Sequence, residues 1–315
     1  MKPLSTLLLA SASWMLFSCA KKDELSDHLA DALSSPGKQV SGVNKPGDLD
    51  YTVMPASAFS KHHPVLLKAE YMRCQKRGNN DNATILYNDK KTKPDAEFVT
   101  RDPRRGGRRV ITYAIGNAYT RDFGVSKQAV NNAIDRAMNN WSESSCSRLI
   151  FKKVTNEESI GYVASQIGFG GWPTNIADLQ HAGFLPRGFF DALTPDGGSF
   201  VLAVTFTFVY FGDDGLPTDI DHNGVNDVAF RETYYNDNFN WRNSQNTDYD
   251  IESVALHETG HALGLSHFGT GYQLRNGDIR FRPRAVMNAV YVGSMRHLQR
   301  EDKSFQCSIW NDWNQ

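Results

Sequence analysis

The segment His257-Glu258-Thr259-Gly260-His261-Ala262-Leu263-Gly264-Leu265-Ser266-His267 gathers three imidazoles and one carboxylate into a short run. On a helix, residues four apart share a face, so His257 and His261 point the same way with Glu258 alongside. Two imidazoles so placed can hold a divalent metal, and a neighbouring carboxylate can reach a water on it. His267 can join them only if the helix stops and the chain turns. Gly264 stands where that turn is needed, because glycine adopts the left-handed conformation without penalty. Three neutral imidazoles with a fourth position left for water make the catalytic form of a zinc site rather than the closed structural form. A redox-active iron would favour a carboxylate among the three ligands, and none replaces a histidine here. The flanking Ile251, Val254, Ala255, Leu256, Ala262, Leu263 and Leu265 are apolar, as a helix buried beneath a cleft requires.

Downstream, Ala285-Val286-Met287-Asn288-Ala289-Val290-Tyr291 follows, with Met287 twenty residues beyond His267. The zinc motif and this methionine together resemble the metzincin metallopeptidases, and Tyr291 is placed as in their matrixin branch. Asn288 and Ala289 depart from the tyrosine and proline usual after the matrixin methionine. The resemblance implies a zincin-like α/β (α+β) fold. It would have a mixed, mostly parallel, five-stranded twisted sheet, a long active-site helix, a metzincin Met-turn and a C-terminal helix. It further implies that Met287 forms an apolar floor under the zinc ligands and that Tyr291 shapes the wall of the substrate pocket. Leu298, Glu301 and Asp302 fit the family pattern of the final helix.

The elements that must position these residues are legible in part. Arg109–Ile115 reads as a strand by its β-branched and aromatic content, and Ser126 caps a helix carrying Ala129, Ile134, Ala137 and Trp141. Leu149–Val154 and Ile160–Ala164 read as two further strands, Phe200–Phe211 as another, and Ala229–Tyr235 as the last before the zinc helix. A short helix around Met295–Ile309 closes the chain. The glycine-dense stretch 168–199 lacks the lysine and helix start of a phosphate loop, and reads as an irregular wall of the cleft.

A second metal pattern lies in Asp219-Ile220-Asp221-His222-Asn223-Gly224-Val225-Asn226-Asp227. Oxygen ligands at alternating positions around a turn glycine suit calcium, with Asp219, Asp221, Asn223 and Asp227 as candidates. The closing glutamate of a full EF-hand is replaced by Phe230, with Glu232 close by. Its place before a sheet strand makes the expected ion stabilising rather than catalytic.

The N-terminal part has a different character. Lys2 precedes an apolar stretch, Leu4–Phe17, too short to span a bilayer, which reads as a signal peptide over residues 1–18. Leu16-Phe17-Ser18-Cys19 resembles a bacterial lipoprotein box, making Cys19 the lipidation site. The charged residues Lys21 to Glu24 resemble a surface-export signal. Residues 19–60 then form a lipid-anchored flexible tether, 61–107 a propeptide-like segment with the basic linker Arg101–Arg109, and 108–315 the catalytic domain. The expected location is exported, as an outer-membrane or cell-surface lipoprotein or its released mature form.

Cys74, Cys146 and Cys307 remain after Cys19, an odd number that permits one disulfide. Cys146 follows the first helix of the domain and Cys307 lies in the last, so these two are the expected pair. Matrixin precursors are often latent through a propeptide cysteine on the zinc. Of that motif only Arg73-Cys74 is present, so Cys74 or an upstream aspartate such as Asp81 or Asp95 could supply the block.

With 34 Lys and Arg against 35 Asp and Glu, the chain is near neutral, and its one basic run has no interleaved aromatics, which argues against nucleic acid. A monomer acting on protein or peptide substrates is expected: a zinc-dependent metalloendopeptidase of extracellular proteins, with Glu258 assisting attack by a water on the zinc. An extended substrate would align on an edge strand within residues 200–211. The competing readings are a zinc amidase acting on cell-wall peptide and a non-catalytic zinc-binding surface protein.

Overall fold

Long uninterrupted apolar runs build the centre of the molecule. In the computed structural model, which describes residues 64–75, 84–89, 93–118, 125–143, 146, 149–156, 159–242, 249–311 and 313, these runs become central strands. The expected signal peptide, Cys19, the tether and Asp81 lie outside the described residues. The main sheet contains β1 (Pro64–Arg73), β4 (Ile111–Ala118), β5 (Phe151–Lys153), β6 (Leu179–Leu185), β7 (Val201–Tyr210) and β8 (Asn226–Asn236), in the order β1-β7-β8-β6-β4-β5. A two-residue strand, β3 (Ala96–Glu97), adds to β8. A second, three-stranded sheet joins β2 (Thr84–Asp89) to the hairpin β11 (Gly269–Gln273) and β12 (Ile279–Arg282), and β9 (Trp241–Arg242) pairs with β10 (Tyr249–Asp250).

The main sheet is therefore seven-stranded and mixed, not the five-stranded, mostly parallel sheet expected. Strands β4, β5, β6 and β8 run parallel, whereas β7 is antiparallel to β8 and β1 is antiparallel to β7. The extra strands come from the segment before residue 108, whose modest apolar content gave no strand signal. Every residue of β6 is buried, as are all but the last of β7 and all but the first of β8. Burial on both faces explains why these strands read as continuous apolar runs rather than alternating ones.

Helices cover both faces. On one, α1 (Lys127–Ser142), capped by Ser126, packs with α4 (Ile251–Ala262) and α5 (Arg300–Trp310) around Trp141, Leu256, Met287 and Trp310. The other face carries the short helices α2 (Tyr162–Gln166) and α3 (Arg187–Leu193), with Phe189 and Phe190 against Phe206 and Tyr234. Each such fully buried side chain contributes roughly 1.5–3 kcal/mol of transfer free energy. Residues 160–164, expected as a strand, instead lead into and form most of α2. Buried Glu232 accepts the Tyr162 and Val163 N–H groups at that helix start, at 2.8 and 2.9 Å. That anchor is invisible in local sequence, and it also removes Glu232 from the acidic loop. The glycine-dense stretch expected to be irregular holds β6 and α3.

The basic run is not a wholly exposed linker. Arg101 and residues 106–109 are exposed, but Arg105 is buried. Its guanidinium meets buried Asp178 at 2.9 and 3.1 Å, and Asp178 also accepts the Thr112 N–H at 2.7 Å. Arg104 reaches Asp227 at 2.7 Å. The run thus pins the incoming chain to the sheet. A disulfide joins Cys146 to Cys307, bridging the end of α1 to α5.

Candidate metal centre and cleft

Helix α4 is positioned from both ends. Asp250 caps its start, accepting the Ser253 N–H at 3.1 Å and pairing with Arg296 at 3.0 Å. At its end the backbone turns through Gly264, whose φ is +91°. All twelve residues of the helix are buried, so this is a core element lying beneath the sheet. The turn returns His267 to the first two histidines. Ligand atoms of His257, His261 and His267 lie within 4.8 Å of one another, with His261 Nε2 and His267 Nε2 3.1 Å apart.

The donor set suits zinc. His257 Nδ1 lies 2.7 Å from the Val286 carbonyl and His261 Nδ1 2.8 Å from the Leu265 carbonyl. A carbonyl only accepts, so each Nδ1 carries the proton and each Nε2 keeps a lone pair facing the cluster. His257 Nε2 is buried without a hydrogen-bond partner among the described residues, an orphaned lone pair that a metal would satisfy. Burial, with the neighbouring imidazoles, lowers all three histidines to about 3, keeping them neutral as ligands must be.

Beneath the site, Met287 is buried and Gly260 faces it. A Cβ at Gly260 would meet Met287 Sδ at 2.2 Å and Trp141 Cζ2 at 2.9 Å, so only glycine permits this approach. Buried Asp302 accepts the Val286 and Met287 N–H groups at 2.9 and 3.1 Å, fixing the turn whose carbonyl orients His257. Tyr291 is buried, and its hydroxyl accepts the Asp250 N–H at 3.1 Å.

Glu258 is fully buried beside the triad. Burial raises its carboxyl to about 8, opposed by the Thr205 hydroxyl at 2.7 Å on Oε2 and the Met72 N–H at 3.3 Å on Oε1. Thr205, Met72 and the Val286 carbonyl had no sequence signal, because each arrives from a distant element, whereas the Leu265 carbonyl belongs to the same local turn as His261. A second carboxylate, Glu70 of β1, comes within 3.6 Å of His261 Nδ1 and 2.8 Å of the Lys68 ammonium. Burial pushes its carboxyl up, but Lys68 and the imidazoles outweigh that and bring it to about 2. Of the residues considered earlier for a block on the zinc, Asp81 lies outside the described residues, and Cys74 and Asp95 do not take this position. The Cys74 thiol lies 3.7 Å from the Ser199 carbonyl, and Asp95 pairs with Lys68 at 3.5 Å.

In the acidic loop, carboxylate oxygens of Asp219, Asp221 and Asp227 lie within 4.8 Å of one another. Asp219 also accepts the Asn223 and Gly224 N–H groups at 3.1 and 2.9 Å. Asn223 turns its Oδ1 onto the Val225 N–H at 2.8 Å, and its amide also donates to Glu97 of β3.

A family model described as matrixin matches residues 213–303, a span that includes the acidic loop, the triad, Met287 and Asp302. No curated protein matches the chain. The match and the converging histidines establish a matrixin-like metzincin catalytic region with a zinc-metallopeptidase site.

Proposed function

We propose that the chain is a zinc-dependent endopeptidase that hydrolyses peptide bonds within extracellular proteins, with His257, His261 and His267 as ligands and Glu258 as general base. The observation that carries this is a buried carboxylate set beside three neutral imidazoles whose lone pairs converge. Zinc held there supplies Lewis-acid polarisation of the scissile carbonyl and lowers the pKa of a water. Glu258 takes the proton from the attacking water and hands it to the departing nitrogen. A zinc cation beside Glu258 would favour its carboxylate form over the protonated form that burial favours, as a general base requires. Thr205 engages Oε2 and thereby fixes the orientation of Oε1, which faces the cleft strand.

The strand within residues 200–211 is not the edge expected, because β1 pairs with β7 on its outer side; an extended substrate would reach β7 through backbone hydrogen bonds only where β1 gives way. In this reading Met287 supports the ligands from below and Tyr291 lines the pocket. A structural calcium at Asp219, Asp221 and Asp227, with Asn223 shaping the turn, holds the loop that leads into β8. Export and lipid attachment at Cys19 rest on the sequence of the first two dozen residues, and fit a protein substrate outside the cell.

Glu258→Gln tests the central step. The variant should fold, retain zinc and lose at least about a hundredfold in turnover of a protein substrate, the usual worth of a positioned acid–base group. A variant with most of the wild-type kcat would remove Glu258 from this role.

A further inference from the structure

Between His267 and Met287 the chain does not turn back directly but runs out into the hairpin β11–β12. One buried residue ties both ends of that hairpin. The Asn288 amide donates to the Phe268 carbonyl at 2.7 Å and to the Pro283 carbonyl at 3.3 Å, and its Oδ1 accepts the Ala285 N–H at 2.8 Å. Asn288 is a residue that departs from the matrixin pattern, and the hairpin is what it holds. The inner face of β12, Ile279 and Phe281, packs on Ala289 and Val290, in the segment after Met287. Val290 in turn bridges to Arg73 at the end of β1. The hairpin is therefore fastened one layer out from the histidine cleft.

Its two strands alternate between buried and accessible residues, so the hairpin has one solvated face. On that face Thr270 and Tyr272 stand opposite Arg282 and Arg280. Arg280 and Arg282 are exposed, as are Arg275 at the turn and Arg284 just past β12. Residues 275–284 thus carry four arginines against one aspartate, in a chain with 34 basic and 35 acidic residues. That aspartate, Asp278, is engaged within the turn by the Asn276 amide at 2.7 Å. Among the described residues, none of the four arginines forms an ion pair. The Arg282 guanidinium lies 5.7 Å from the centre of the Tyr272 ring, which restrains it without neutralising it. Charge on a terminal strand guards it against edge-to-edge pairing, and β12 is the terminal strand of its sheet. One charge of either sign would serve that end. Four of one sign, three of them on alternate residues, do more: each guanidinium can donate two parallel N–H bonds to a carboxylate.

We propose that the exposed face of the hairpin β11–β12 docks an acidic, extended segment of the polypeptide substrate, held by Arg280, Arg282 and Arg284. Residues two apart on a strand are about 6.7 Å apart, and an extended peptide with acidic residues at alternate positions repeats at the same distance. A peptide can also run along the outer edge of β12 and bond to its backbone, which a sugar chain or a lipid surface cannot do in strand register. The proposal rests on the peptidase reading and adds to it a substrate class: proteins that carry an acidic stretch outside the bond that is cut.

The test uses the full chain loaded with zinc and a labelled peptide of alternating glutamate and serine, with a glutamine–serine peptide as control. The wild type should prefer the glutamate peptide, and lose that preference in about 1 M salt, where the Debye length is about 3 Å. Arg280→Gln combined with Arg282→Gln should weaken binding of the glutamate peptide about fivefold, the worth of two exposed ion pairs. Both positions are exposed, so the variant should melt with the wild type. Arg280→Glu combined with Arg282→Glu should turn the preference toward a lysine–serine peptide. When the glutamate run is appended to a peptide that the enzyme cleaves, kcat/KM should rise in the wild type, and the ratio of tailed to untailed peptide should fall in the double glutamine variant. Equal affinity for the glutamate and glutamine peptides, or a sulfated polysaccharide held where the glutamate peptide is not, would overturn the proposal. Cleavage indifferent to the tail would overturn it too and leave the peptidase reading standing. Binding that follows the arginines without cleavage of any peptide would uphold the docking face and sink the peptidase reading instead.

Discussion

Gly260 stands between two histidine ligands and has no room for a side chain, because Met287 and Trp141 close over it. Gly260→Ala should cost about 1–3 kcal/mol, as overpacking of a filled core does, and should lower zinc retention by tilting the helix from its floor. Thermal melts and metal analysis check this, and an unchanged melting temperature with full zinc would show that the floor yields. His261→Ala removes a ligand outright, so its zinc content should fall well below one per chain. Equal zinc in variant and wild type would refute the triad. The same histidines set an acid response in the metal-free protein. Their folded values, about 3, lie below the ordinary value near 6.5, so on acidification the unfolded chain binds protons first. The histidines' contribution to stability should therefore be complete above about pH 6.5 and decline as pH falls toward 3. Buried His181, lowered to about 4, adds to the same slope. Urea unfolding of chelated protein across this range should show the decline, and a flat midpoint would contradict it.

At the scale of elements, the acidic loop and the basic run are tied together. Asp227 is buried, accepts the Thr218 hydroxyl at 2.6 Å and pairs with Arg104, so part of its charge is met by protein. Asp219 and Asp221 are met less fully, and a bound calcium would relieve their mutual repulsion. Zinc-replete protein treated with a calcium-selective chelator should melt at a lower temperature and recover on calcium addition, as binding linkage requires. A melting temperature independent of calcium would dismiss the site. Nearby, Arg105→Ala would leave the buried Asp178 carboxylate, whose value is held down by Arg105 and Thr112 against its burial, with only half-exposed Arg108 as a cationic partner. Loss of one partner from such a buried pair costs about 3–5 kcal/mol, readable by chemical denaturation. A loss below about 1 kcal/mol would mean that the pair behaves like an exposed one.

For the whole molecule, residues just ahead of 108 pack into the same core as those that follow it. Phe98 sits in the core against Trp310, β3 pairs with β8, and Arg104 and Arg105 neutralise two buried aspartates. A protein of residues 94–315 keeps all of these and should unfold cooperatively. One of residues 108–315 loses them and should melt at a markedly lower temperature or fail to stay soluble. Equal melting temperatures would return residues 94–107 to the status of a linker.

Much of the site could be read from spacing alone, for a physical reason. Three ligands and a turn glycine fall within one local segment, where helix geometry fixes their relation without reference to the rest of the chain. The acidic loop and the capped helix α1 were legible on the same ground. Long-range pairing was not. Residues 160–164 read as a strand because the capture of their amides by Glu232 has no local signature, and the basic run Arg101–Arg109 reads as a linker because Asp178 and Asp227, which face it, come from distant strands and loops. The segment 64–73 has no pattern of its own that marks it for a cleft. Its place is decided by the open edge of β7 and by the amide that Met72 turns toward Glu258, a contact between residues far apart in the chain. Local sequence determined which chemistry this protein carries, and only the tertiary structure decided what lies across it, because edge pairing is a property of the assembled sheet.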